Sequence, residues 1–589
     1  MDIFSIFTLC GGLAFFLYGI SAMSAGLEKI AGGKLEQILK KITSNPLKSF
    51  AVGTIITALI QSSSAVTVML VGLVNSGIMN LSQTVGVIIG ANVGTTMTAW
   101  ILSLTGLEAS NIFLRLLKPE SFTPILALIG VIMIMAAKTN KRKNIGTVLI
   151  GFSILMFGMQ VMSGAMAPLS DMPEFRNIMV AFTNPFLGLL VGIIVTMILQ
   201  SSSASVGILQ ALSMVGGISY GAAIPIICGQ NIGTCVSAVL SAIGTNTNAQ
   251  RVAVIHIVYN CIGAIMFLIL FFGVNAIFNF AFTNQDINPF GIAVVHTIFN
   301  VTAAFILLPC GKLLEIIAVK TIKGKNKSEE TVILDDRLLL APSFAISEAY
   351  KQSIKMAEMV EDNYNSSTKM LKSYHKKKAE SMKEKEIEID LYEDKLNSYL
   401  LKLSGKGLSE EDNSRISQLL LAIGDFERIG DHANRILEIT EKMRDNNTKL
   451  SDKGLEELQV IANAVSEIYT MSLKAYRNDD VNAAHEVEPL EAVIKKLVRK
   501  VKKAHIQRLQ DGECTPALSF MFSDLLTDYR RIAAHCGNIA ISVIQLKETR
   551  IGKHQYNHRN MDEEEETIFK SKYQDYKSKF SVTKEKPEI

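Results

Sequence analysis

Over residues 1–317 the apolar side chains run in blocks too continuous to leave a polar face. From about residue 345 they recur at helical spacing among Lys, Glu and Asp. A block of about 20 apolar residues is what a helix needs to cross a bilayer, and recurrence at i, i+3, i+4 marks an amphipathic helix. The blocks predict spanning helices near 3–25, 82–105, 121–137, 145–163, 219–243, 252–273 and 291–310. Two further stretches, 47–76 and 186–217, break that template: each is two short apolar pieces flanking a polar box. Broken backbone at membrane depth is tolerated where it lines a cavity or is buried in protein. Both stretches therefore predict re-entrant helical hairpins with the polar box at the tip.

The two boxes are the same five residues. Gln61, Ser62, Ser63, Ser64 and Ala65 return as Gln200, Ser201, Ser202, Ser203 and Ala204, a separation of 139 (200 − 61). The register extends outward without gaps. Asn45-Pro46 maps to Asn184-Pro185, Gly53 to Gly192, Thr57 to Thr196, and Tyr18-Gly19 to Phe157-Gly158. The stretch Gly90, Ala91, Asn92, Val93, Gly94, Thr95 maps to Gly229, Gln230, Asn231, Ile232, Gly233, Thr234. This is an internal duplication, with repeat 1 near 1–110 and repeat 2 near 145–250. The Gly-flanked Asn92 and Asn231 predict a second break, in the helix after each hairpin.

Charge supplies an orientation. The short loop with Lys138, Lys141, Arg142 and Lys143 is basic, as is the one after the first span with Lys29, Lys34, Lys40, Lys41 and Lys48. Both are expected on the cytoplasmic side. The counterpart of the latter in repeat 2 carries Asp171 and Glu174 with only Arg176, and is expected outside. The repeats thus enter the membrane from opposite sides, an inverted repeat with its binding site near the midplane. Residues 3–20 share the repeat register and lack a basic leader region, which places them in the membrane core. A net charge of +4 is too mild for a nucleic-acid partner, and seven cysteines without a C-x-x-C pair read as packing residues.

No Asp, Glu, Lys, Arg or His occurs from Ser49 to Leu107 or from Asn177 to Gln250. Any site in the repeats must work with neutral groups. Half-helix N-termini hold an anion through free N–H groups and a positive dipole end, and Ser hydroxyls add donors. Unwound carbonyls with Gln, Ser, Thr and Asn oxygens suit a hard monovalent cation such as Na⁺, whose charge offsets the anion's. The pattern therefore points to cation-coupled anion transport, and the absence of acidic residues argues against a carboxylate proton relay. His256 with Asn260 and His296 with Asn300 form a smaller echo on two later helices. It reads either as interhelix hydrogen bonding or as a part in substrate access or proton sensing.

The duplicated T-x-x-x-Q-S-S-S, Thr57 to Ser64 and Thr196 to Ser203, together with G-x-N-[IV]-G-T at 90–95 and 229–234, resembles the sodium-dependent phosphate symporter family (type II Na⁺/Pi cotransporters) over about 1–315. The resemblance implies phosphate as substrate and Na⁺ as coupling ion. It implies Gln61, Ser62, Ser63, Gln200, Ser201 and Ser202 as the phosphate site. It implies Ser64, Ser203, Thr57, Thr196, Asn92, Thr95, Asn231 and Thr234 as cation ligands or support for the tips.

Residues 318–344 read as a charged linker, 345–547 as an amphipathic helical domain, and 548–589 as a polar mobile tail with a short helix near 564–580. The helical part is also duplicated. Asp425 to His432 aligns with Asp528 to His535, and Asp390-x-x-Glu393 and Glu488-x-x-Glu491 lie on the preceding helices, predicting two three-helix units near 345–440 and 453–547. This pattern resembles the PhoU domain, a cytosolic helical module linked to phosphate transport. The resemblance implies a divalent metal at Glu427 and Asp431. Repeat 2 departs from it with Arg530 and Ala534 in those places, and carboxylates at this spacing equally pair with nearby Lys or Arg.

The chain is thus expected to be an all-α, multi-pass membrane protein with inverted repeats and two re-entrant hairpins, followed by a soluble PhoU-like bundle on the cytoplasmic side. The expected function is Na⁺-coupled transport of inorganic phosphate across the plasma membrane. The helical domain is expected to regulate it, through a cytosolic partner or a homo-oligomer. A transporter or exporter of another small oxyanion, or a phosphate sensor without flux, are the alternatives. No nucleotide-binding loop occurs and no general base lies beside the serines, so no enzyme is expected.

Overall fold

The computed structural model describes residues 3–31, 45–107, 116, 118–168, 172, 182–324, 334–340, 342–405, 408–547 and 563–582. Lys34, Lys40, Lys41, Asp171, Glu174 and Arg176, and most of the polar tail, lie outside the described residues. The described residues contain no β-strand, only an isolated bridge between Ser219 and Asp286. They form two compact units, Met1–Phe344 and Ala345–Ile589.

In the first unit seven helices are long and apolar enough to cross a membrane, by length and composition. They are α1 (Ile3–Ala31), α4 (Leu81–Ser103), α5 (Pro119–Ala136), α6 (Asn140–Met166), α9 with α10 (Tyr220–Gly233 and Cys235–Ala242), α11 (Thr247–Phe278) and α12 (Pro289–Leu307). Shorter are α2 (Pro46–Ile60) with α3 (Ser63–Asn75), α7 (Pro185–Leu199) with α8 (Ser202–Ser213), and α13 (Gly311–Thr321). At 12 to 15 residues, each hairpin arm falls short of the length a crossing needs. Both hairpins begin alike: the Asn45 side chain accepts from the Leu47 amide and the Asn184 side chain from the Phe186 amide, each followed by a proline at the first helical position.

Close contacts between α1 and α6 show that the repeats are inverted. A Cβ on Gly12 would lie 2.8 Å from the Met162 amide nitrogen, and one on Gly151, the mate of Gly12, would lie 2.5 Å from that of Met23, the mate of Met162. Gly19 meets Leu155 and Gly158 meets Phe16, by the same exchange. Residue pairs that swap under the repeat register are the signature of a two-fold axis, and their order shows that the two helices run antiparallel. Phe16, Met23, Leu155, Met156, Met159 and Met162 fill this seam. The second break expected at Asn92 is absent. Helix α4 runs unbroken through Asn92, whose Nδ2 donates to the Ile88 carbonyl of its own helix. In repeat 2 the helix likewise runs past Asn231, and α9 and α10 join at Thr234, whose backbone stays helical with φ −61° and ψ −25°.

The second unit is built from α14 (Pro342–Met370), α15 (Lys376–Ser404), α16 (Glu410–Asp445), α17 (Asp452–Asn478), the short α18 (Val481–His485), α19 (Val487–Gln510), α20 (Pro516–Lys547) and the outlying α21 (Glu563–Lys579). Their apolar faces form its core: Leu458, Ile461, Val465, Ile468 and Leu473 on α17 meet Phe522, Leu525, Ile532 and Ile539 on α20 at full or near-full burial. The duplication exchanges partners here as well. His432 Nδ1 lies 2.8 Å from Asp528 Oδ1, His535 Nδ1 lies 2.8 Å from Asp425 Oδ1, and the two imidazoles stack at 5.8 Å.

Candidate functional site

Each polar box is the joint of a broken helix. At Gln61 and Gln200 the backbone turns left-handed, with φ of 61° and 53°, a conformation that costs a residue bearing a Cβ about 1–2 kcal/mol and usually falls to glycine. Each glutamine amide donates to the carbonyl of the threonine four residues earlier, Thr57 or Thr196, at 2.7 Å. Ser62 and Ser201 then start the second arms as N-caps, accepting from the Ala65 and Ala204 amides at 3.2 Å. That leaves the Ser63, Ser64, Ser202 and Ser203 amides in the first turn, where an α-helix has no carbonyl to offer them. Ser63, Ser202 and Ser203 are buried, while Ser62, Ser64 and Ser201 are half-buried.

The two motifs of each repeat touch. Thr57 packs on Gly94 and Thr196 on Gly233, where an added Cβ would lie 2.8 Å from either threonine Cβ. Both threonines are fully buried, and neither hydroxyl has a hydrogen-bond partner among the described residues. A buried hydroxyl left this way costs about 1–3 kcal/mol. Thr95 and Thr234 instead spend their hydroxyls on the carbonyls of Ala91 and Gln230 at 3.0 Å.

The tips differ in their surroundings. Gln61 is buried; its Nε2 donates to the Ala58 carbonyl, and its Oε1 accepts from Thr98 Oγ1 at 2.8 Å. Gln200 is exposed, with no side-chain hydrogen bond among the described residues. Asn231 Nδ2 donates to Asn300 Oδ1 at 2.7 Å, and its Oδ1 lies 3.3 Å from His296 Nε2, so one half of the histidine–asparagine echo joins the site. The other half, Asn260, bonds the His256 carbonyl and Cys235.

Three residues that the motifs do not contain form a hub on α4. Thr98 holds the first tip. The Ala99 carbonyl accepts from Gln210 of the second hairpin at 3.0 Å, and Trp100 Nε1 donates to Thr297 of α12 at 2.9 Å. Gln210 Nε2 also reaches the Pro289 carbonyl at 3.0 Å. The one tryptophan in the chain and a lone glutamine in an apolar run were the available signals. At the far end of α3, Asn75 donates to Asp335 at 2.7 Å and accepts from the Asn246 amide at 2.8 Å, while Leu338 is buried against Gly72.

In the second unit, Glu386, Asp390 and Glu393 on α15 crowd Glu427 and Asp431 on α16. Burial, then the nearby Asp431 and Asp390 charges, push the Glu386 carboxyl up to about 8, and a hydrogen bond to Asp431 holds its proton. Asp390, Glu393 and Glu427 are raised as well, burial first. Among the described residues no three His, Cys, Asp or Glu side chains are placed to hold one metal ion. The expectation of a divalent metal at Glu427 and Asp431 draws no support from this arrangement, in which burial and mutual repulsion favour the protonated form of the crowded carboxyls.

The family model described as Na⁺/Pi-cotransporter matches residues 15–164 and again 154–286, and the PhoU domain model matches 354–440 and 458–543. A Salmonella typhimurium protein named "Putative inorganic phosphate export protein YjbB" is 22% identical over 544 residues, 91% of this chain and 97% of that one. The Bacillus subtilis protein YqeW, uncharacterized by name, is 30% identical over 302 residues, 51% of this chain and 93% of the relative. Rattus norvegicus sodium-dependent phosphate transport protein 2A is 35% identical over 99 residues, 16% of this chain and 15% of its own length. With duplicated hairpins, seven spanning-length helices and both repeat halves matched, this multi-pass membrane chain belongs to the Na⁺/Pi-cotransporter family and carries a PhoU domain behind its membrane unit.

Proposed function

We propose that the chain moves inorganic phosphate across the plasma membrane, coupled to Na⁺, under regulation by the PhoU domain on the cytoplasmic side. The observation that carries this reading is the pair of tips: a glutamine held left-handed at the head of a half-helix, in each repeat, where glycine would be cheaper. Strain kept in both copies is a reason to look for a ligand.

Ser62, Ser63 and Gln61, with Ser201, Ser202 and Gln200, would bind phosphate through first-turn amides, hydroxyls and the positive helix end. The unpartnered Thr57 and Thr196 hydroxyls, with Ser64, Ser203 and nearby carbonyls, would take Na⁺; Asn92, Thr95, Asn231 and Thr234 would brace the tips. A bound cation lowers the cost of placing an anion at membrane depth, which ties the two cargoes together. One tip is sealed by Thr98 and the other open, and rocking of the repeats would exchange those states. The exposed Lys138, Lys141, Arg142 and Lys143 between α5 and α6 support the cytoplasmic assignment of that loop.

The relative matched over most of this chain is named for export, so net direction is read in the same assay. Radiolabelled phosphate flux is measured in proteoliposomes with Na⁺ imposed inside, outside or absent, for the wild type and for Ser62→Ala plus Ser201→Ala. Flux that follows the Na⁺ gradient and is lost in the variant is expected. Flux indifferent to Na⁺ overturns the coupling, and undiminished flux in the variant overturns the site.

A further inference from the structure

The two halves of the PhoU domain have diverged in charge at equivalent positions. Where α16 carries Glu427 and Asp431, α20 carries Arg530 and Ala534, while Arg531 repeats Arg428, so that two arginines stand side by side only in the second half. Beside Ala534 a cavity of about 130 Å³ lies between α19 and α20, lined by Glu491, Ile494, Lys495, Arg530, Arg531, Ala533 and Ala534. Three cations therefore converge on a concave site whose counterpart in the first half is crowded with carboxylates.

Among the described residues, Lys495, Arg530 and Arg531 make no ion pair. One carboxylate lies in the lining, Glu491, and its surroundings do not treat it as a partner of the arginines. Burial, then the Glu488 charge, push it up to about 7, and only Lys495 draws it down. Burial thus favours its protonated form, which can donate a hydrogen bond. Guanidinium forks match the oxygens of a tetrahedral oxyanion in bidentate fashion, and Lys adds a point charge. The cavity has room for one such ion with its waters.

We propose that this cavity binds a phosphate-class oxyanion, either free inorganic phosphate or the terminal phosphoryl group of a longer chain, at Arg530, Arg531 and Lys495. The site does not depend on the transport reading, because it lies wholly within the second unit.

The test is hydrogen–deuterium exchange of the full chain in nanodiscs, read locally over 488–497 and 528–537, against titrations of inorganic phosphate, tripolyphosphate and chloride at matched ionic strength. The Ser62→Ala plus Ser201→Ala background separates this site from the membrane unit, and protection should persist there. Phosphate is expected to slow exchange severalfold in both segments and saturate. Arg530→Gln plus Arg531→Gln should abolish the effect while keeping the thermal midpoint, and Glu491→Gln should move saturation to lower phosphate. Tripolyphosphate saturating below phosphate would assign the phosphoryl-chain source, and the reverse order free phosphate. No protection by either ion, protection equalled by chloride, or protection that survives both arginine changes would overturn the proposal and leave solvated arginines. Should the double variant unfold, an unchanged saturation point in Glu491→Gln overturns it instead.

Discussion

Gly94 is the position where a single methyl group should disturb the first tip most directly. In Gly94→Ala the new Cβ would lie 2.5 Å from the Thr54 carbonyl oxygen and 2.8 Å from Thr57 Cβ. Carbon approaches oxygen to about 3.3 Å and carbon to about 3.5 Å without repulsion, so α2 and α4 must part by about 0.7–0.8 Å here. Thr98 is one turn further along α4, and its 2.8 Å bond to Gln61 would stretch toward 3.5 Å, beyond useful hydrogen bonding. Overpacking of this kind costs about 1–3 kcal/mol. Gly233→Ala repeats the clash in the second half, 2.6 Å from the Ile193 carbonyl oxygen, but breaks no clamp because Gln200 has none. Both variants should lose stability, and Gly94→Ala should lose more phosphate flux. Gly164 is the control: nothing lies within 4 Å of its Cβ position, and alanine in an exposed helical site adds about 0.5–1 kcal/mol. Thermal midpoints in detergent and phosphate flux in proteoliposomes are the readouts. A Gly94→Ala protein with wild-type midpoint and flux, or a Gly164→Ala protein as damaged as it, would refute the packing argument.

Thr98→Val removes the donor to Gln61 Oε1 and should cost about 1–3 kcal/mol together with most flux, whereas Gln200→Ala, at an exposed side chain, should leave the midpoint unchanged; equal midpoints for the two would sink the asymmetry. The buried pair of Arg508 and Glu457, bonded at 3.0 and 2.6 Å, should make Glu457→Ala cost about 3–5 kcal/mol by circular-dichroism melting, and a change below 1 kcal/mol would show the pair to be solvated. Because Glu386 titrates near 8 when folded and in the ordinary carboxylate range when unfolded, unfolding releases its proton. Its contribution is full at low pH and is lost as pH rises toward 8. After solvent screening that is on the order of 1–2 kcal/mol. Glu386→Gln should flatten the pH profile, and a divalent cation that raised the wild-type midpoint would refute proton sharing with Asp431. Leu338→Ala, which empties a fully buried contact on Gly72, should loosen 334–340 in hydrogen exchange, and unchanged protection there would show that Asn75 and Asp335 hold it alone.

The hairpins, the duplication and its inversion were legible because each rests on local signals: Asn-Pro starts, apolar pieces too short to span, and identical boxes at one offset. The failures share one cause. Asn92 and Asn231 carry the same Gly-flanked motif and the helix continues past both; what distinguishes Asn231 is that Asn300 and His296 reach it from another helix. Thr98, Gln210 and Trp100 were missed for the same reason, since their importance lies in partners far along the chain. The metal at Glu427 and Asp431 is implied by the PhoU resemblance alone, whereas the approach of Glu386 from α15 is a contact that spacing along α16 cannot show.

The same duplication that keeps the apolar seam symmetric leaves the polar contacts unequal. Gly12 with Met162 and Gly151 with Met23 exchange under the two-fold, as do Gly19 with Leu155 and Gly158 with Phe16. Steric fits of this kind hold in any rigid-body position that keeps the seam closed. The hydrogen bonds within each hairpin repeat, but those that tie the hairpins to other helices do not: Thr98 seals Gln61, its repeat mate Ser237 leaves Gln200 exposed, and Gln210 of the second hairpin has only Val71 as counterpart. A symmetric steric seam with an asymmetric polar layer is what a two-state inverted repeat requires. Under the transport reading proposed above, the seam would act as the pivot, and the hydrogen bonds that differ between halves would break and re-form as the repeats trade places. Under the transport reading, the sealed tip at Gln61 and the open tip at Gln200 are the two ends of one exchange, and Thr98 to Trp100 on α4, in contact with both hairpins and with α12, is where that exchange is registered.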